Sequence, residues 1–179
     1  MKTQSRCLAL LAALFVAGCG ARSYYAAMDQ GSDPQQLAAL VSGATTRSSS
    51  IQHGTQVEYL SPDGRAYLWY PGNPRILPGR WRVEKRGLGA QICFTYMPQP
   101  VSGWSCQGGG NYLVNQAEIV DGDPLDLEGG KLPFIMSRAS YRLSDLIART
   151  GNPSAPLRPR LETPILSSSE RVSPASKGS

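Results

Sequence analysis

The residue types in this chain that could do chemistry are its four cysteines, a mid-chain run of arginines, a short acidic stretch and a single histidine. Cys93 lies in AQICFTY (90–96) and Cys106 in GWSCQ (103–107). Both flanks read as strands, and the prolines of the intervening MPQPVS suit a loop. In a symmetric hairpin centred between Gln99 and Pro100, Tyr96 faces Gly103 and Cys93 falls opposite Cys106. Opposed residues on antiparallel strands have Cα atoms about 4.5–5.5 Å apart, within disulfide range. The alternative is a pair of buried thiols.

The arginines offer anion recognition. Between Asp63 and Glu118 the only acid is Glu84, set against Arg65, Arg75, Arg80, Arg82, Lys85 and Arg86. In GRWRVE (79–84), strand alternation sends Trp81 and Val83 one way and Arg80, Arg82 and Glu84 the other. Guanidinium groups on one face can hold a carboxylate or phosphate. The plainer reading is a solvated strand face that discourages edge pairing. Tyr67 and Trp69 share one side of RAYLWY. If exposed, their rings would suit sugar stacking or a protein hot spot, but core packing is the favoured reading.

Asp121, Asp123, Asp126 and Glu128 crowd DGDPLDLEGG, yet the order of oxygen ligands does not match a calcium loop. A turn with Leu125 and Leu127 inward explains the same residues. A Ser-His-Asp arrangement would have to use His53, which has no G-x-S-x-G elbow beside it and lies in a loop-like stretch. There is no Cys/His cluster for zinc, and no cofactor is expected.

The elements that must position these groups follow from periodicity. SDPQQLAALVSG (32–43) reads as a short helix: Ser32 or Asp33 caps it, Pro34 suits its first turn and Gly43 ends it. From Gln56 the period becomes two. QVEYL, RAYLWY, GRWRVE, the cysteine hairpin and NYLVNQAEIV read as strands, with LDLE and LPFIM as further candidates. About seven short strands broken by Gly and Pro predict a mainly β fold, a small antiparallel barrel or sandwich with one or two flanking helices. A helix is expected near Arg142–Arg149, and the Pro/Ser-rich residues 150–179 are expected to be disordered. The domain thus spans 32–149.

The amino terminus carries an address. Lys2 and Arg6 precede an uncharged apolar run, Leu8 to Gly18. As a helix this run rises roughly 16 Å, about half a hydrocarbon core, so it reads as a cleavable export signal rather than a span. Val16-Ala17-Gly18-Cys19 resembles the lipobox of bacterial lipoprotein precursors. The resemblance implies cleavage after Gly18, a diacylglyceryl group on the Cys19 thiol and an acylated Cys19 amino group. Several acyl chains on one residue make a durable anchor, since each buried methylene contributes about 0.8 kcal/mol. Gly20 follows Cys19 where aspartate would signal retention, which implies the outer membrane, with residues 19–31 as tether. Lipocalins also carry a G-x-W, but near their first strand, so the fold is lipocalin-like at most. Pro62-Asp63-Gly64, Gly79-Arg80-Trp81 and Cys93-Phe94-Thr95-Tyr96 together resemble a family of small exported proteobacterial domains of unknown function, which implies a β-domain and no activity.

Taking Lys2 and Arg6 from the formal charge of +5 leaves +3, too mild to point to nucleic acid. In an oxidising compartment Cys93 and Cys106 favour a disulfide. The sequence predicts an envelope protein held to the membrane through Cys19. Its non-catalytic β-domain would bind an anionic glycan, lipid headgroup or envelope protein through Arg80 and Arg82. Two alternatives are an envelope hydrolase using His53 and a structural or inhibitory lipoprotein acting through a protein partner.

Overall fold

The computed structural model describes residues 26–97, 103–151 and 159–162. The export signal, the lipobox with Cys19 and most of the Pro/Ser-rich tail lie outside the described residues. The chain builds β1 (Ala44–Ser50), β2 (Gly54–Leu60), β3 (Arg65–Trp69), β4 (Leu77–Arg86), β5 (Gly89–Tyr96), β6 (Ser105–Gly108), β7 (Gln116–Asp121) and β8 (Pro159–Glu162). Helices α1 (Pro34–Val41), α2 (Gly109–Asn115) and α3 (Leu143–Arg149) accompany them. The strands form one antiparallel sheet in the order β6-β5-β4-β3-β2-β1-β7-β8, curled into a half-barrel. It is mainly β and antiparallel, as the two-residue period requires, with β6 and β8 as open edges.

The curl gives the sheet an inner and an outer face, and both are packed. On the inner face Leu60, Ala66, Trp81, Ile92 and Ile119 meet Leu37 and Val41 of α1 and Leu113 of α2. The outer face of β2 and β3 offers Val57, Tyr59, Tyr67 and Trp69, which the 123–149 segment covers with Leu125, Leu127, Met136, Leu146 and Ile147. Burial on both sides of the central strands is why apolar alternation in β3 could not name one core face.

Local chemistry sets the boundaries. Asp33 is the helix cap, accepting from the backbone N–H groups of Gln35 and Gln36 at 2.8 Å each, with Pro34 in the first turn. At the β2–β3 turn Gly64 adopts φ +85°, which only glycine tolerates readily, and its N–H donates to the Ser61 carbonyl at 3.0 Å. The Gly64 carbonyl accepts from the Trp81 backbone N–H at 2.9 Å, and the Trp81 indole N–H donates to the Ser61 carbonyl at 2.9 Å. The turn at Pro62-Asp63-Gly64 is thereby fastened to the Gly79-Arg80-Trp81 strand. Gly79 pairs with Tyr96, and a Cβ there would strike the Tyr96 ring and the Thr95 carbonyl, so the glycine makes room for the tyrosine.

Several elements differ from the sequence reading. β1, ATTRSSS, is a central strand that hydrophobic periodicity cannot detect, since its buried Thr45, Thr46 and Arg47 are polar. Thr45 Oγ1 donates to the Gly122 carbonyl at 2.6 Å and Arg47 Nη2 to Ser140 Oγ at 2.9 Å, while Arg47 Nε makes no hydrogen bond among the described residues and lies 3.8 Å from the Glu118 carboxylate. Tyr112 and Leu113, expected in a strand, belong to α2, which carries the chain from β6 toward β7 across the inner face. LDLE and LPFIM pack as turns and irregular backbone rather than strands, although Leu125 and Leu127 do point inward. The expected tether is shorter, because residues 26–30 are helical and Ala27 is fully buried. Within the segment expected to lack structure, Pro159–Glu162 pairs with β7.

Candidate functional site

β4 alternates as its sequence requires, with Trp81 buried and Arg80 and Arg82 exposed on the outer face. Arg65 of β3 stands directly opposite Arg80. Arg65 is engaged by Asp63 and Glu128, each at 2.5 Å. The Asp63 carboxyl is held below its ordinary range, first by the Arg65 backbone N–H and further by its guanidinium. Arg82 pairs with Glu84 at 2.6 Å and lies 3.9 Å from the Trp104 ring centre, a cation–π contact. Arg80 has no carboxylate partner among the described residues. A shallow depression of about 270 Å³ is lined by Arg65, Arg80, Thr95 and Met97. Of the expected pair, Arg80 is therefore the free cation and Arg82 is already committed.

Tyr67 and Trp69 are not a binding platform. They are 8% and 1% exposed, and Trp69 packs edge-on against Phe134 with ring centres 5.0 Å apart. The 123–149 segment takes the face that would have been open to a ligand.

Cys93 pairs with Cys106 in the register that symmetric hairpin counting requires, and the two sulfurs are bonded at 2.04 Å with Cα atoms 4.0 Å apart. Glu84, Cys93 and Cys106 are the only described grouping of His, Cys, Asp and Glu close enough to share a cation. Two of its three donors are consumed by the disulfide.

In the acidic stretch, Asp123 accepts from the N–H groups of Leu127 at 3.0 Å and Glu128 at 2.8 Å, which makes it a turn cap. His53 is exposed in the β1–β2 turn, its backbone N–H donating to Ser50 Oγ at 3.0 Å. It lines neither the outer depression nor the inner concavity.

The inner face holds a feature absent from the sequence reading. Where the half-barrel opens, a concavity of about 370 Å³ runs from β1 and β2 across to β5 and β6, with α2 behind it. Thr46 pairs with Glu58, and Glu58 with Leu68, so all three share the inner face. The Tyr112 hydroxyl donates to Thr46 Oγ1 at 3.3 Å, and Thr46 Oγ1 donates to the Glu58 carbonyl at 3.4 Å. Desolvation pushes the Glu58 carboxyl up to about 8, with the Tyr112 hydroxyl offsetting part of that rise. The Tyr112 hydroxyl is itself raised, first by burial and then by Glu58. Glu58 lies in a strand that otherwise reads as core, and an acid at an inward position of QVEYL is the signal that could have revealed the site.

No family model matches this chain, and no curated protein and no solved structure matches it significantly.

Proposed function

We propose that this chain is a lipoprotein of the cell envelope, attached through acyl chains on Cys19, whose β-domain captures an anionic group without chemical turnover. The outer membrane, facing the periplasm, is the proposed site of attachment. The lipobox and the short apolar run before it support the anchor, and the Cys93–Cys106 bond is compatible with an oxidising compartment.

Arg80 is the observation that carries the binding reading. It is exposed, faces a second guanidinium across the strand pair and has no acidic partner among the described residues. A carboxylate or phosphate seated at Arg80 would gain charge-assisted hydrogen bonds. Tethering confines the domain to a thin layer above the bilayer, so even a weak site would meet its ligand at high effective concentration.

The test is crosslinking in intact cells followed by mass spectrometry, comparing the wild type with an Arg80→Ala, Arg82→Ala variant. The proposal expects a crosslinked glycan, lipid or protein species that the variant loses. An identical set of species from both proteins would contradict it.

A further inference from the structure

The inner concavity belongs to neither the anchor nor the cationic face, and its lining is unusual for the inside of a β-sheet. Alternation would fill these inward positions with hydrocarbon, as it does nearby with Leu60, Trp81 and Ile92. Here the same face carries Gln56, Glu58, Ser105 and Gln107 instead. Buried polar atoms without partners are costly, so native folds rarely retain them without a reason. The Tyr96 hydroxyl is buried and has no hydrogen-bond partner, and Tyr96 lines this concavity.

From these observations we infer that the concavity is a binding site for a neutral, hydroxyl-rich ligand, namely a sugar ring. The lining supplies hydroxyls, carboxamides and one carboxyl, which together donate to and accept from vicinal hydroxyl groups. Phe94 and Tyr96, stacked with ring planes 6° apart and centres 6.4 Å apart, form part of the concavity's apolar lining. No lysine or arginine is among the described lining residues, so none of these compensates an anionic ligand. Glu58 is held protonated near neutral pH and adds a donor. The volume of about 370 Å³ falls at the lower end of small-molecule sites, about 300–1,000 Å³, and suits one or two sugar rings. Glycoside hydrolysis ordinarily requires two carboxyl groups flanking the bond, and Glu58 is the only carboxyl among the described lining residues, so the inference is of binding and not of cleavage. The Arg80 depression lies on the other face of the sheet, and the two sites stand or fall separately.

The experiment titrates the purified full chain, disulfide intact, with glucose, N-acetylglucosamine, cellobiose and chitobiose, read by calorimetry or protein NMR shifts. At least one is expected to bind saturably with millimolar or tighter affinity. Tyr96→Phe should weaken binding about tenfold, the loss of roughly one hydrogen bond. Ser105→Trp, at an exposed position on the concavity wall, should abolish it, while Lys85→Ala should leave it unchanged. Thermal unfolding of each variant verifies that it folds. Tighter binding of a disaccharide than of its monosaccharide would assign the site to a glycan chain, and equal binding to a free sugar. Failure of all four sugars to bind, or binding that survives Ser105→Trp, would overturn the inference.

Discussion

Arg65 and Arg80 face each other across the β3–β4 pair, and Asp63 and Glu128 neutralise only the first. Arg80 is exposed and forms no ion pair among the described residues, so its charge adds little to stability where it stands. Removing its charge is therefore expected to separate folding from binding. Arg80→Gln should leave the thermal midpoint unchanged or slightly higher and should weaken retention on an immobilised anionic ligand about tenfold, the loss of one charge-assisted hydrogen bond. Arg82→Ala should weaken retention less, because Arg82 is already paired with Glu84 and stacked on Trp104. Equal losses from the two substitutions would show that Arg80 has no special place.

Glu58 sets a pH dependence. Its folded pKa, pushed to about 8, stands above the ordinary carboxyl value of 4.5, so the folded state binds the proton more tightly than the unfolded chain. Stability should then fall as pH rises from about 4.5 to about 8 and level off above. Glu58→Gln should flatten the upper part of that decline and melt higher than wild type above pH about 8. Asp123, also raised mainly by burial, should preserve some decline at lower pH. Thermal unfolding across this pH range checks both statements.

The features legible in sequence were those set by local rules. The α1 cap, the β4 alternation and the Cys93–Cys106 register each follow from residues close together in the chain. What escaped was set by distant packing. β1 escapes hydrophobic periodicity because its buried Thr45, Thr46 and Arg47 are polar, and Thr45 and Arg47 find partners, Gly122 and Ser140, only far along the chain. α2 reads as strand because Tyr112 and Val114 favour strands, and the crossing of the half-barrel overrides that preference. Trp69 is core because the 123–149 segment, distant in sequence, covers it. The inner concavity needs seven elements brought together, and no single stretch announces it.

The Cys93–Cys106 bond ties the edge strand β6 to β5. On the chain-entropy model, closing a loop of this length contributes about 3 kcal/mol. Reduction, or Cys106→Ser, is expected to lower unfolding stability by about that amount in denaturant titrations. An unchanged midpoint under reducing conditions would mean that the hairpin is held by its surroundings alone.

Gly31 lies against Gly109 and Gly110 with backbones in contact, and a Cβ on Gly31 would fall on the Gly110 amide. Gly31→Ala should therefore cost about 1–3 kcal/mol, as overpacked sites do. At Gly108 an added Cβ would meet only Asn111 Nδ2 at 3.8 Å, so Gly108→Ala should be tolerated. Denaturant midpoints of the two variants make the comparison.

Attachment to the membrane is the claim on which the proposed function rests, and the mass of the protein recovered from its native cell envelope tests it most directly. The expected species begins at Cys19, carries diacylglyceryl and acyl groups on that residue and sediments with membranes, and Cys19→Ala abolishes the modification. A species of unmodified mass with a free Cys19 thiol, recovered in the soluble fraction, would contradict it.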